Sequence, residues 1–194
     1  MKLQENLLSI KLTAHPSRTF NFRPNCVTTI NEDGWGLIEG VITYKDEVIG
    51  YITAYRSDND KYFRSRCEKQ SNDCAHIASV VTRSNGTLSG KVLAKYVCDW
   101  HAEREICILD KIWIEPEYRG IGIGSLILKN FDEMVFLEYE IRTIFVYARA
   151  FEEARTLGID SDEYKNMTET VKQWISHSGR FYHICDNVFT SQDY

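Results

Sequence analysis

Apolar positions along this chain recur in two rhythms, one of period two and one of helical spacing. Residues 35–56, WGLIEGVITYKDEVIGYITAYR, hold two β-branched and aromatic runs around Lys45-Asp46-Glu47. Val41 and Thr43 alternate there with Ile42 and Tyr44, which predicts a β-hairpin. Residues 6–13, LLSIKLTA, predict a first strand, and the polar stretch 14–34, with Pro16 and Pro24, predicts a loop. Residues 57–72 are polar and read as a solvent loop. Helical spacing follows over 73–99: Ala75, Ala78 and Val81 make one short face, and Leu88, Val92 and Tyr96 another. Ser84-Asn85-Gly86 breaks the two apart.

The second half is more strongly patterned. Residues 103–115, EREICILDKIWIE, predict a long strand in which Ile106, Ile108, Ile112 and Ile114 share one parity with Asp110 between them. A carboxylate on an apolar strand face is costly to bury unpaired. Ile123 to Glu140 predicts an amphipathic helix with Ile127, Phe131, Met134, Val135 and Glu138 on one side. Residues 141–149, IRTIFVYAR, predict a buried strand. Strand, loop, helix and parallel return strand compose a βαβ unit, whose crossover is expected to be right-handed. Residues 150–168 are polar and acidic. Thr168 then precedes a helix through Ser178 with Gly179 as its C-cap, and FYHI and NVF supply the last strand material. No repeat or low-complexity segment interrupts this order, so a single domain over 1–194 is expected.

Composition narrows the function classes. The chain has 194 residues, 43% hydrophobic and 26% charged, as in ordinary globular proteins. A formal charge of −5 argues against a nucleic-acid partner, which needs a basic stripe. No apolar run reaches the roughly 18 residues of a membrane span, and the apolar stretch in MKLQENLLSIKL is short for a signal peptide. The six cysteines contain no C-x-x-C and are expected to be reduced thiols in a cytoplasmic protein. Cys74-x-His76 and Cys98-x-x-His101 offer four metal-ligand types. Small apolar fillers are the simpler reading of both cysteines, and no metal is expected.

The candidate chemistry lies in residues 112–125, IWIEPEYRGIGIGS. A glycine-rich loop that opens a helix is an anion site, because the first helical N–H groups lack intrahelical partners and the helix dipole adds positive charge. The dinucleotide fingerprint G-x-G-x-x-G fails from Gly120, where Ser125 holds the third glycine's place, and from Gly122, where Ile127 does. The P-loop pattern fails for want of a lysine. R-x-x-G-x-G fits, as Arg119-Gly120-Ile121-Gly122-Ile123-Gly124. Together with the preceding LDKIWIEPEY, this resembles the coenzyme A pyrophosphate loop of the GNAT superfamily of N-acetyltransferases. The resemblance covers roughly residues 105–149, with a weaker echo at Gly179-Arg180-Phe181.

The resemblance implies an α/β fold: a central twisted mixed sheet flanked by helices on both sides. It implies acetyl-coenzyme A as cofactor, its pyrophosphate held by Arg119, Gly120, Ile121, Gly122, Ile123, Gly124 and Ser125. The pantetheine arm would lie along Ile112, Trp113 and Ile114, in a slot opened where that strand diverges from 141–149. The implied reaction is direct acetyl transfer to a primary amine of a small molecule or protein, with no nucleic-acid or membrane partner and with homodimers common in the family. Such a transfer needs a neutral amine, hence a general base, and an outlet for the thiolate. Asp110, Glu105 and Glu103 are candidate bases, with Asp110 favoured because burial raises a carboxyl's proton affinity. His101 and His76 are further options. The family places a Tyr four residues before the helix-ending glycine, but that position here is Ile175, beside Trp174. Tyr182, Tyr164 or Ser176 are the substitutes, or the thiolate leaves without an enzyme acid. The acidic stretch 150–169 is either a lure for a cationic acceptor or a solvated surface. The alternative to an enzyme is a catalytically degenerate domain that binds acyl-coenzyme A for regulation or interaction.

Overall fold

The computed structural model describes residues 8–15, 35–58, 60–89, 92, 105–150, 156–178 and 180–191, with backbone alone for 8–15. Among the described residues, seven strands form one mixed sheet in the order β1-β2-β3-β4-β5-β7-β6. They are β1 (Leu8–His15), β2 (Trp35–Tyr44), β3 (Glu47–Asp58), β4 (Glu105–Ile114), β5 (Thr143–Tyr147), β6 (Phe181–Cys185) and β7 (Val188–Ser191). The helices whose bounds lie among the described residues are α1 (Phe63–Gln70), α2 (Asn72–Val81), α3 (Ile123–Tyr139) and α4 (Asp162–His177). The architecture is mixed α/β, as expected.

The hairpin forms as its alternation predicts, antiparallel from Trp35↔Ser57 to Tyr44↔Glu47. Lys45 and Asp46, at φ 54° and 65°, make its two-residue turn, a conformation whose twist matches that of the flanking strands. Among the described strands only one neighbouring pair, β4 and β5, is parallel, joined through the glycine loop and α3. Side chains alternate across β5: Ile144 and Val146 enter one core cluster, and Phe145 the other. The first cluster lies between the sheet and α3 and α4, through Ile127, Phe131, Val135 and Ile175. The second lies under α1 and α2, through Phe63, Cys67, Cys74, Ile77 and Val81.

Three expectations need correction. The polar segment 57–72 is not a loop: β3 continues to Asp58, and α1 then buries Phe63 and Cys67, one turn apart. Two apolar residues in eight are enough once a sheet face is available to receive them. The last helix begins at Asp162 rather than after Thr168. The Ser161 side chain caps it by accepting from the Tyr164 N–H at 3.2 Å, and Asp162 and Glu163 lie in its first turn, where the helix dipole favours acids.

The third correction concerns β4. Its pairing with β3 shifts between Ala54↔Leu109 and Thr53↔Lys111, so Asp110 is the extra residue of a β-bulge. Facing therefore changes parity there. Ile106 and Ile108 pack under α2, whereas Ile112 and Ile114 join Cys107 and Leu109 on the α3 side. The four isoleucines do not share one face. Outside the described residues fall Glu103, Cys98, His101, Gly179 and most of the helix expected before 99. Among the described residues, no group of His, Cys, Asp and Glu is placed to hold a metal. No described helix is long and apolar enough to cross a membrane.

Candidate active site

The site begins where β4 and β5 part. Their parallel ladder runs from Ile106↔Thr143 to Leu109↔Val146 and stops, while β4 continues to Ile114. Beyond Leu109, no strand among the described residues lies beside the β5-facing edge of β4, an edge whose peptide groups suit an extended ligand. A cavity of about 880 Å³ occupies this divergence, from Asp110 at one end to the glycine loop at the other.

At the loop end, Pro116–Tyr118 form a single 3₁₀ turn directly after β4. Tyr118 donates its hydroxyl to Glu47 at 2.9 Å, and the Glu115 N–H bonds the Ile49 carbonyl at 2.8 Å, so the turn is held to β3. Arg119 Nε donates to the Ile114 carbonyl at 2.7 Å and folds the guanidinium back over the end of β4. Gly120 and Gly122 have φ of 72° and 98°, left-handed values that side chains disfavour. Gly122 is the N-cap of α3, and Leu126 N–H is bonded to its carbonyl at 3.0 Å. The N–H groups of Ile123, Gly124 and Ser125 therefore open the helix without intrahelical partners, and no acidic residue stands in that turn. A Cβ on Gly120 would meet nothing within 4 Å. This open concavity of backbone donors fits a pyrophosphate by both shape and charge.

α4 forms the opposite wall with Met167, Thr170, Val171, Trp174 and Ile175. Trp174 seats its ring where a Cβ on Gly124 would lie 3.1 Å away, and its Nε1–H donates to Ser125 Oγ at 3.0 Å. The third glycine of the motif is thus a packing glycine at a helix–helix crossing. Thr170 is the one side chain on this wall with a hydroxyl, and it bonds the Asn166 carbonyl one turn earlier at 3.0 Å.

The other end of the cavity is polar. Asp110, Asp73 at the start of α2, Tyr147 at the end of β5 and Arg149 just beyond it all line it. Arg149 Nη1 lies 2.9 Å from Asp73 Oδ1. Burial pushes the Asp110 carboxyl above its ordinary range; the nearby Asp73 adds to this, while Arg149 and Lys111 oppose it. Burial raises Asp73 too, against Arg149 and His76. The Tyr147 phenol is also raised by burial, with an opposing hydrogen bond to Asn187. Trp113, on the same sheet face, stacks on Tyr51 at 5.2 Å between ring centroids.

Ile112, Trp113, Ile114, Arg119, Gly120, Gly122, Ile123, Gly124 and Ser125 all line the cavity together with Asp110. Ile121 instead packs its side chain against the core. Tyr182 stands on β6, 43% exposed and away from the cavity lining, and Tyr164 and Ser176 are not in that lining either. Glu105 is paired with the buried Arg56 at the far end of β4. His76 lies beside the Tyr147 ring, 4.9 Å between centroids. Sequence reasoning missed Asp73, Tyr147 and Arg149. Each belongs to a different segment from the glycine motif, and only the sheet order brings them together.

No protein-family model matches the sequence, and no curated protein does. Among solved structures, several N-acetyltransferases show a partial likeness. Arabidopsis thaliana Naa50, in complex with a bisubstrate analogue, is 12% identical over 80% of this chain and 72% of that one, with a TM-score of 0.37. Arabidopsis thaliana NAA60, in complex with acetyl-CoA, is 10% identical over 79% and 73%, also at 0.37. A Drosophila melanogaster polyamine N-acetyltransferase is 13% identical over 60% of this chain and only 54% of its own length, at 0.36.

Proposed function

We propose that this chain is an acetyl-coenzyme A-dependent N-acetyltransferase. The observation that carries the reading is one continuous cavity joining an anion cradle at the start of α3 to a half-buried carboxyl at the β4 bulge, along an edge with no strand beside it among the described residues. Backbone N–H groups of Ile123, Gly124 and Ser125 receive the pyrophosphate, and Arg119 adds charge at its rim. The β4 edge at Ile112–Ile114 binds the pantetheine amides as an added strand would. Acetyl-coenzyme A supplies an activated acyl carbon; overall, a C–N bond forms, a C–S bond breaks, and one proton is released from the ammonium.

Asp110 takes that proton. A carboxyl whose proton affinity burial raises is a stronger base than a surface aspartate. The bulge turns peptide groups out of the regular ladder beside Asp110, and these supply donors for oxygen charge at the acyl carbon. The described acidic residues of 156–169 do not line the cavity, and Asp162 is 99% exposed, which favours a solvated surface over a cationic lure.

One observation favours binding without transfer: α4 presents no acidic group to the cavity. A thiol with pKa near about 8.5 leaves without one, so the two readings divide on thiol release. The experiment is thermal unfolding with acetyl-coenzyme A, with coenzyme A and NAD as controls, followed by thiol detection with an amine panel. Ligand at 100 times its Kd stabilises by about 2.7 kcal/mol. Gly122→Trp, which fills the cradle, should lose the shift. Asp110→Asn should keep it and lose turnover by a factor of about 10² or more. No shift in the wild type overturns the assignment; a shift without thiol release selects the binding module.

A further inference from the structure

The α4 wall runs the length of the cavity. Its Trp174 donates to Ser125 Oγ at the cradle, and its Thr168 hydroxyl accepts from the Ala150 N–H at 3.3 Å, beyond the end of β5. A helix rises about 1.5 Å per residue, so these two anchors stand about 9 Å apart along it. Met167, Val171 and Trp174 recur at helical spacing and make one apolar stripe over that length, and all three line the cavity. Met167 is 37% exposed there. The hydroxyl of Thr170, beside the stripe, donates to the Asn166 carbonyl of its own helix.

Where β4 and β5 part, the two faces of the sheet differ in character. Leu109 and Val146, partners at the last rung of the parallel ladder, belong to the core cluster on the side of α3 and α4. Tyr147, the next residue of β5, packs instead against the cluster under α2, and Asp73 of α2 lines the cavity with it. Alternation along the strands therefore gives the bulge an apolar chamber on one side and a polar one on the other. The polar chamber suits an amine acceptor. The apolar chamber is continuous with the slot along β4 and suits a part of the donor.

We propose that the donor carries an acyl group longer than acetyl: a straight chain of butyryl to hexanoyl length, seated between Leu109, Val146 and Ala150 on one side and Met167 and Val171 of α4 on the other. The inference rests on the acyltransfer reading and extends its donor; the bonds made and broken at the thioester are the same. An acetyl group has a single methyl beyond its carbonyl, whereas the apolar wall from Val171 to Met167 runs about 6 Å along the helix. Methionine is an adaptable lining for the far end, because its unbranched thioether side chain conforms to chains of different length. The stripe also gives the wall that lacks an acidic group an occupant of its own.

The test is a series of dissociation constants measured by calorimetry for coenzyme A and its acetyl, butyryl and hexanoyl thioesters. Full burial of a methylene tightens binding about fourfold, so affinity should rise by about twofold to fourfold per methylene from acetyl to hexanoyl. Met167→Asp places a charge at the end of the chamber and Val171→Trp fills it, and either should bring the ratio of hexanoyl to acetyl affinity to about one or below. A wall with a structural role alone would weaken all four ligands alike and leave that ratio in place. Affinity that is flat or falls from acetyl to hexanoyl in the wild type overturns the proposal, as does a gain per methylene that survives in both folded variants. Where a variant does not fold, the wild-type series decides. Failure of coenzyme A itself to bind overturns the acyltransfer reading and the inference with it. Coenzyme A that binds with a flat series leaves that reading standing and removes the longer chain alone.

Discussion

Trp174 and Gly124 show how one residue's identity can be fixed by another 50 positions away. The glycine is legible in the sequence as part of R-x-x-G-x-G, the motif that resembles a pyrophosphate loop. The structure gives it a different neighbour, the indole ring 3.1 Å from where a Cβ would stand. Ala at 124 gains helix propensity in any background but meets the ring only while Trp174 is present. Gly124→Ala should therefore be more favourable by about 1 kcal/mol in a Trp174→Ala background than in the wild type, read as a double-mutant cycle from urea midpoints. Additivity within error would remove the packing account. Asp110 was legible for its incongruity, a carboxylate in an apolar run. Asp73 was not, because an aspartate in the first turn of a helix has an ordinary explanation in the dipole.

At the scale of elements, the sequence spoke clearly where side chains repeat and poorly where two or three of them suffice. The hairpin, α3 and β5 follow from period alone. α1 escapes that reading because its eight residues carry four charges against the buried pair Phe63 and Cys67. Phe63 is fully buried and belongs to the cluster that seats α2 and, through α2, Asp73. Phe63→Ala should cost about 3–5 kcal/mol in urea unfolding. A loss near zero would mean that α1 merely rests on the sheet. The early start of α4 was hidden by its polarity: eleven of its sixteen positions are polar or charged, and the wall it offers the cavity is a narrow stripe.

For the whole molecule, raised carboxyl groups tie stability to pH in a definite sense. An aspartate whose native proton affinity exceeds its unfolded value binds more protons in the native state across the interval between the two. Stability then falls as pH rises through that interval, which opens at 3.8 for Asp110 and extends to its raised native value. The neutral isostere has no such slope. Asp110→Asn should match or fall below the wild type in acid and exceed it near neutrality, as measured by urea midpoints from about pH 4 to about pH 8. Equal midpoints throughout would mean that Asp110 is solvated like a surface group. The molecule would then be giving up stability at the residue proposed to take the proton, as sites built for chemistry commonly do. Overall fold class and the loop–helix unit were readable from the chain. The acceptor end was not, since it is assembled from α2, the bulge and the end of β5, whose proximity only the sheet order creates.

The bulge at Asp110 has a consequence for how such a strand can change. Because the extra residue absorbs one step of the alternation, Leu109 and Ile112 already face the same way. A chain lacking residue 110 would continue from Leu109 to Lys111 in plain alternation, with every later side chain on the face it occupies now. The carboxylate is thus a removable insertion in an otherwise regular strand. Within β4, a codon gained or lost there would add or remove the proposed base while leaving the architecture's inside and outside unaltered.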